Sequence, residues 1–201
     1  MIFNETVFKN LLKEAYKGAG LLVANKEGRI VLAGSWWVIT MEEKVFSKKG
    51  KAALVELTGQ LPMQGECWRT TSAGNQMEVP PEYIDIDGDV YDDVTSRRPF
   101  EKTILTLDGL YCGIARVYQK DKAVICINET VDMLLDTSKA TENEDTQIRG
   151  PYTRNIEHPS TFYWYTDECS FSAGRLDLEK PEYKELLNAL EANVRLPIAK
   201  C

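Results

Sequence analysis

Lys102 to Asn128, KTILTLDGLYCGIARVYQKDKAVICIN, decides the fold class. Three apolar, β-branched runs are separated there by two polar turns. Ile104, Leu105 and Leu107 precede Asp108-Gly109, a dipeptide that supplies positive φ for a two-residue hairpin. Ile114, Val117 and Tyr118 lie between the turns. Val124, Ile125 and Ile127 follow the second turn, Lys120-Asp121-Lys122. The pattern predicts a three-stranded antiparallel meander.

Outward from this stretch, the chain reads as α+β, an antiparallel sheet (hairpin plus meander) with three or four helices. Asn4 or Thr6 caps a first helix whose Val7, Phe8, Leu11, Leu12 and Ala15 share one stripe, and Gly18 and Gly20 close it in the αL manner. A hairpin follows, Leu21–Ala24 and Arg29–Thr40, turning at Asn25-Lys26-Glu27-Gly28 and bending at Gly34-Ser35. Ser47 caps a second helix, Lys48 to Thr58, ended by Gly59. Asn128 caps a short third helix carrying Val131, Met133, Leu134 and Leu135. Lys139 to Ser160 is polar and reads as a mobile loop or an arm that orders on a partner. TFYWY, 161–165, reads as a strand. Pro181 to Val194 reads as a helix with Tyr183, Leu186, Leu187, Leu190 and Val194 on its apolar face.

Three segments result: an α+β unit over 1–77, an acidic connector over 78–99, and a second α+β unit over 100–201, the whole packed as one domain or two. Asn-Glu-Thr-Val occurs at 4–7 and at 128–131. The residues after the two copies differ, so the repeat reads as two good N-caps in preference to a duplicated module.

With 201 residues, 43% hydrophobic, 27% charged and a net charge of −7, the composition is that of a folded globular protein without a broad basic surface. No apolar run reaches the roughly 18 residues that cross a bilayer, and the N-terminus lacks a signal-peptide pattern. Five widely spaced cysteines form no C-x-x-C pair, which disfavours a disulfide framework or a zinc site. The expectation is a cytoplasmic protein with no membrane contact.

Catalytic chemistry is sparse. His158 is the sole histidine, and no nucleophile elbow or phosphate-binding glycine loop occurs. A small hydrolase pairing a cysteine with His158 is the enzymatic alternative. EVPPEYIDIDGDVYDD holds seven carboxylates, Glu78, Glu82, Asp85, Asp87, Asp89, Asp92 and Asp93. It departs from an EF-hand loop, with Gly88 at the fourth position and Ser96 where a bidentate glutamate is needed, so no metal or other cofactor is assigned. These carboxylates either keep the protein soluble or imitate a phosphate backbone toward a basic partner. Trp36 and Trp37 point to opposite faces of a strand. Either both are buried, or one stacks on a base or a partner. Lys48, Lys49 and Lys51 form a small basic cluster that is either a solvated helix face or a nucleic-acid contact.

The opening helix FKNLLKEAYKG, the hairpin GLLVANKEGRIVLAGSWWVIT and the helical AALVELTGQLP together resemble the start of a DNA sliding-clamp domain. The resemblance covers about a third of the chain. It implies an acidic protein with lysines facing DNA, working as a ring-forming module of a DNA-replication assembly; the general look of the chain separately suggests a phage or mobile-element protein. The reading is therefore a non-enzymatic protein that binds another macromolecule, with a protein partner and direct DNA contact both expected. The alternative is an acidic inhibitor of a nuclease, of the anti-CRISPR type.

Overall fold

Asn4 opens the first helix, α1 (Glu5–Lys17), by accepting from the backbone N–H of Thr6 and Val7 at 3.1 and 3.3 Å. Two orphan donors of the first turn are satisfied that way. The computed structural model describes residues 3–74, 76–80, 98–109, 113–135, 148–155, 160–176, 181–193 and 196–199. Within them stand four α-helices, an eight-stranded antiparallel sheet and a three-stranded antiparallel sheet. The chain is α+β.

Phe8, Leu11, Leu12 and Ala15 of α1 are buried, as their spacing predicts. The close of α1 differs from expectation. Gly18 sits at φ −93° and is not left-handed, and only Gly20 has positive φ, +104°. Strands β1 (Leu21–Lys26) and β2 (Arg29–Ala33) turn on Glu27-Gly28, both at positive φ, which matches the twist of the flanking strands. The bend expected at Gly34-Ser35 is a full reversal. It delivers β3 (Trp37–Glu42) antiparallel to β2, with Ala33 opposite Val38. The Trp37 ring lies against Gly34, where a Cβ would stand 2.5 Å from its Nε1. Ser47 then caps α2 (Lys48–Thr58), and Gly59 ends it at φ +82°.

Two short strands, β4 (Cys67–Thr70) and β5 (Gln76–Glu78), extend this sheet beyond β1. The meander is present as β6 (Glu101–Gly109), β7 (Gly113–Lys120) and β8 (Ala123–Asn128). Its first turn is not the two-residue one expected at Asp108-Gly109. The ladder runs on to pair Gly109 with Gly113, so Gly109 belongs to the strand. The second turn is tight, with Lys120 opposite Ala123 and Asp121 at φ 52°.

Asn128 caps α3 (Glu129–Leu134), its side chain accepting from Thr130 N at 2.9 Å. Part of the predicted polar loop is strand: β9 (Arg149–Tyr152) pairs with β10 (Thr161–Tyr165), and Pro151 and Tyr152 are buried. Residues 139–147 and 156–159 of that loop lie outside the described residues. Strand β11 (Cys169–Gly174) follows, unanticipated, and α4 is Pro181–Asn193. On α4, Leu187 is buried, whereas Leu186 is 40% exposed. Val194 lies outside the described residues.

The large sheet has the order β5-β4-β1-β2-β3-β11-β10-β9. Strands from residues 1–77 and from the C-terminal half thus share one sheet, joined at β3–β11. About that joint the inner six strands, β1-β2-β3 and β11-β10-β9, run in mirrored order, with β4 and β5 added on one side only, and for the two inner strands of each half the symmetry is quantitative. Strands β10 and β11 begin and end 132 positions after β2 and β3. Ile39 faces Phe171, its own counterpart, across the joint. The turn bond Gly34 N–Trp37 O, 3.0 Å, recurs as Thr166 N–Cys169 O, 2.8 Å. Gly174 N–Trp36 O, 2.8 Å, is answered by Glu42 N–Glu168 O, 3.0 Å. A pseudo-twofold axis therefore passes between Ile39 and Phe171.

The helices follow it in order along the chain but not in offset. Asn-Glu-Thr-Val opens both α1 and α3, each of which leads into three antiparallel strands and then a further helix. Asn4 N donates to Leu134 O at 2.8 Å and Phe3 bridges Leu135, so the start of α1 meets the end of α3. The two copies stand 124 positions apart, not the 132 of the strands, and each serves as the N-cap of its helix.

One core holds the layers together. Phe8, Leu11 and Leu12 of α1 and Leu54 of α2 pack with Leu21, Ile30, Ile39, Phe162 and Phe171 of the large sheet. Tyr118, Ile125 and Ile127 of the meander join the same core. The other meander face, Ala115, Val117, Val124 and Cys126, packs against Leu187 of α4.

Candidate functional site

Helix α1 presents its apolar stripe to the sheet, so the opposite face carries Thr6, Asn10, Lys13 and Lys17 outward, all four exposed. Lys9 flanks that row, half-buried. The row itself contains no carboxylate. Helix α2 packs beside α1, and Lys49 Nζ reaches Glu5 of α1 at 3.0 Å. Lys51 Nζ lies 3.4 Å from Glu43. Lys48 is exposed on the outward side of α2. Of the three lysines singled out in the sequence, two are thus engaged in surface ion pairs. The basic face is completed by Lys13 and Lys17, which the sequence reading passed over although their spacing of four is legible.

A second feature lies where α1, α3 and the β2–β3 turn converge. A groove of about 640 Å³ is bounded there by Trp36, Ile114 and Met133, with Glu14 and Glu129 along its sides. The tandem tryptophans are divided, but not within one strand as expected: Trp37 opens β3 and is core, whereas Trp36 lies in the β2–β3 turn, half-buried at the groove. Ile114 and Met133 are 46% and 54% exposed. Behind the groove, Arg116 donates to Glu129 Oε1 at 2.7 Å and to Asp132 Oδ2 at 3.0 Å. Lys102 lies 3.1 Å from Asp132, and the Tyr118 hydroxyl donates to its other oxygen. This network fixes α3 against β7.

Neither a family model nor a curated protein matches the chain.

Of the acidic segment, Glu78 is exposed on strand β5. Glu82, Asp85, Asp87, Asp89, Asp92 and Asp93 lie outside the described residues, as does Arg97. Arg98 pairs with Glu101, and its carbonyl accepts from Lys120 Nζ at 2.6 Å. His158, Cys112 and Cys201 are also outside. The other three cysteines are buried free thiols. Burial pushes the Cys67 thiol up, that of Cys126 to about 12, and that of Cys169 higher still. A thiol held protonated is a poor nucleophile, so these three are structural. Among the described residues, no group of three or more His, Cys, Asp or Glu is placed to hold a metal ion, and no helix is long and apolar enough to cross a membrane.

Proposed function

We propose that this is a non-enzymatic, clamp-like binding module whose α1–α2 face lies against nucleic acid. The observation that carries this reading is the outward row Thr6, Asn10, Lys13 and Lys17. It is a row of two lysines and two neutral polar residues, bordered by exposed Glu14, on a protein of net charge −7, with Lys48 beside it on α2. An acidic body keeps such a protein from coating DNA indiscriminately, and a local lysine strip supplies the contact to phosphate. The same charge division belongs to the sliding-clamp resemblance of the first 65 residues. The buried, protonated state of Cys67, Cys126 and Cys169 favours binding over catalysis.

The test is fluorescence anisotropy on a labelled duplex between about 50 and 200 mM salt. Binding is expected to weaken steeply with salt. The double variant Lys13→Glu, Lys17→Glu, altered at two exposed sites, is expected to bind more weakly and to lower the salt slope by about two. An unchanged affinity in that variant, or no binding at the lowest salt, sinks the proposal.

A further inference from the structure

We propose that helix α4 is a flap, pinned to the meander both before and after itself. It opens as a minor state while the rest of the molecule stays folded, and it uncovers the second apolar face of that sheet. The proposal stands apart from nucleic-acid contact by the α1–α2 face.

The pins are backbone hydrogen bonds at opposite edges of β6-β7-β8. Before α4, Leu176 N donates to Cys126 O on β8 at 3.0 Å. After it, the chain returns along β6. Ile104 N donates to Pro197 O at 3.1 Å, Ala199 N donates to Lys102 O at 2.9 Å, and Thr103 bridges Ile198. Leu196, 5% exposed, secures this return, its N–H donating to the Gln119 side-chain carbonyl at 2.7 Å. Both pins stand at one level of the sheet, since Cys126 is opposite Val117 and the Thr103 hydroxyl donates to Val117 O. From Leu176 to Pro197 is therefore four strand spacings, roughly 19 Å. The chain between them, 177–195, could extend about three times that far. The slack lets α4 lift without pulling either pin.

What holds the helix down is thin. Leu187 is buried, Tyr183 and Leu190 are half-buried, and Lys184, Glu185, Leu186, Asn188 and Ala189 are exposed. The Tyr183 hydroxyl donates to Asp108 O at 2.6 Å. Helix α1, of the same length, buries Phe8, Leu11, Leu12 and Ala15. A helix of about 13 residues is marginal by itself, so packing decides whether it stays formed. The core beneath α4, with Val117 and Val124 at its centre, is separate from the main one. Segments held by few apolar contacts open below the free energy of global unfolding. The meander does not follow, because Tyr118, Ile125 and Ile127 on its other face belong to the main core.

The test is amide hydrogen exchange on the full-length protein, followed residue by residue by NMR. Amides of Glu185 to Leu190 should exchange about a hundredfold faster than those of Leu11 to Ala15. The pinned amides of Ile104, Leu176 and Ala199 should stay slow. Leu187→Ala should speed exchange in α4 by a further factor of about ten, leave the pins slow, and raise the emission of ANS, a dye that lights on exposed apolar surface. Leu190→Ala is the second variant, should the first fail to fold. Exchange in α4 as slow as in α1 overturns the proposal. Ala199 exchanging together with α4 does so too, since that is a fraying chain end and not a flap. Unchanged ANS emission in both variants sinks the uncovering of the sheet face.

Discussion

Cys126 illustrates what burial does to a single side chain. It lies between the meander and α4, and desolvation drives its pKa to about 12. A free thiol ionises near 8.5, so raising the pH from 8 to 10 should speed alkylation of an exposed cysteine and leave Cys126 untouched. With Cys67, Cys126 and Cys169 all buried, we expect at most two of the five thiols to react with Ellman's reagent in the native protein, and all five in guanidinium. A third fast thiol in the native state would contradict the placement of one of these residues. The same shift sets a pH limit. Below the unfolded pKa both states keep the proton and Cys126 is neutral to stability. Between that value and about pH 12 the unfolded chain releases its proton first, so stability falls as pH rises through that window. Trp36 and Trp37 were legible at this scale only as a pair with opposite directions. Which one enters the core is decided by Gly34, whose missing side chain admits the Trp37 ring.

Among the elements, α1, α2 and the meander were readable because their signals are local: a cap, a 3.6-residue stripe, a terminal glycine, a polar break between β-branched runs. Strands β4, β5 and β11 were not. CWRT and QME are too short to show a period, and CSFSAG alternates over six residues but with small side chains of low β-propensity around a single Phe171. Their existence depends on partners distant in sequence, chiefly β3 for β11. That joint makes a prediction about elements in isolation. A fragment of residues 1–80 lacks β11 and leaves the edge of β3 unpaired. Because β11 is the pseudo-twofold counterpart of β3, a second β3 satisfies the same ladder, with Ile39 opposite Ile39 in place of Phe171. The fragment should therefore run as a twofold dimer in size-exclusion chromatography with light scattering. Glu42 donates toward β11, and alternation puts the Thr40 N–H on the same side, so Thr40→Pro should return the fragment to a monomer. A wild-type fragment that is monomeric at high concentration would show that β3 cannot substitute for β11.

Taken whole, the molecule contains a doubled hairpin, β2–β3 and β10–β11, whose copies share backbone register and little sequence. GSWW and TDEC occupy equivalent turns, and Trp37, Ile39 and Met41 match Cys169, Phe171 and Ala173 only in being buried. Sequence comparison of the two hairpins fails for that reason, since hydrogen-bond register is a backbone property. The lysine strip on α1 was present in the spacing of Lys9, Lys13 and Lys17, and the groove was not, because its walls come from five separate stretches. The clamp-like reading has a consequence at this scale: the protein should assemble into a closed ring. Light scattering across a tenfold concentration range should then give a discrete multiple of 22.8 kDa. A constant monomer mass would leave the DNA-facing strip without a ring around it and count against the clamp form of the proposal.

The β3–β11 joint also sets a clock during synthesis. Ile39 and Phe171 are 132 residues apart in the chain, yet they are neighbours across the middle of the sheet. At about 5–20 residues per second a ribosome needs roughly 7–26 s to cover that distance. For most of that interval the N-terminal strands are complete and β3 has an open side. The half-made protein then depends on whatever covers that strand, a chaperone or its own slow pace of folding, until its second half arrives.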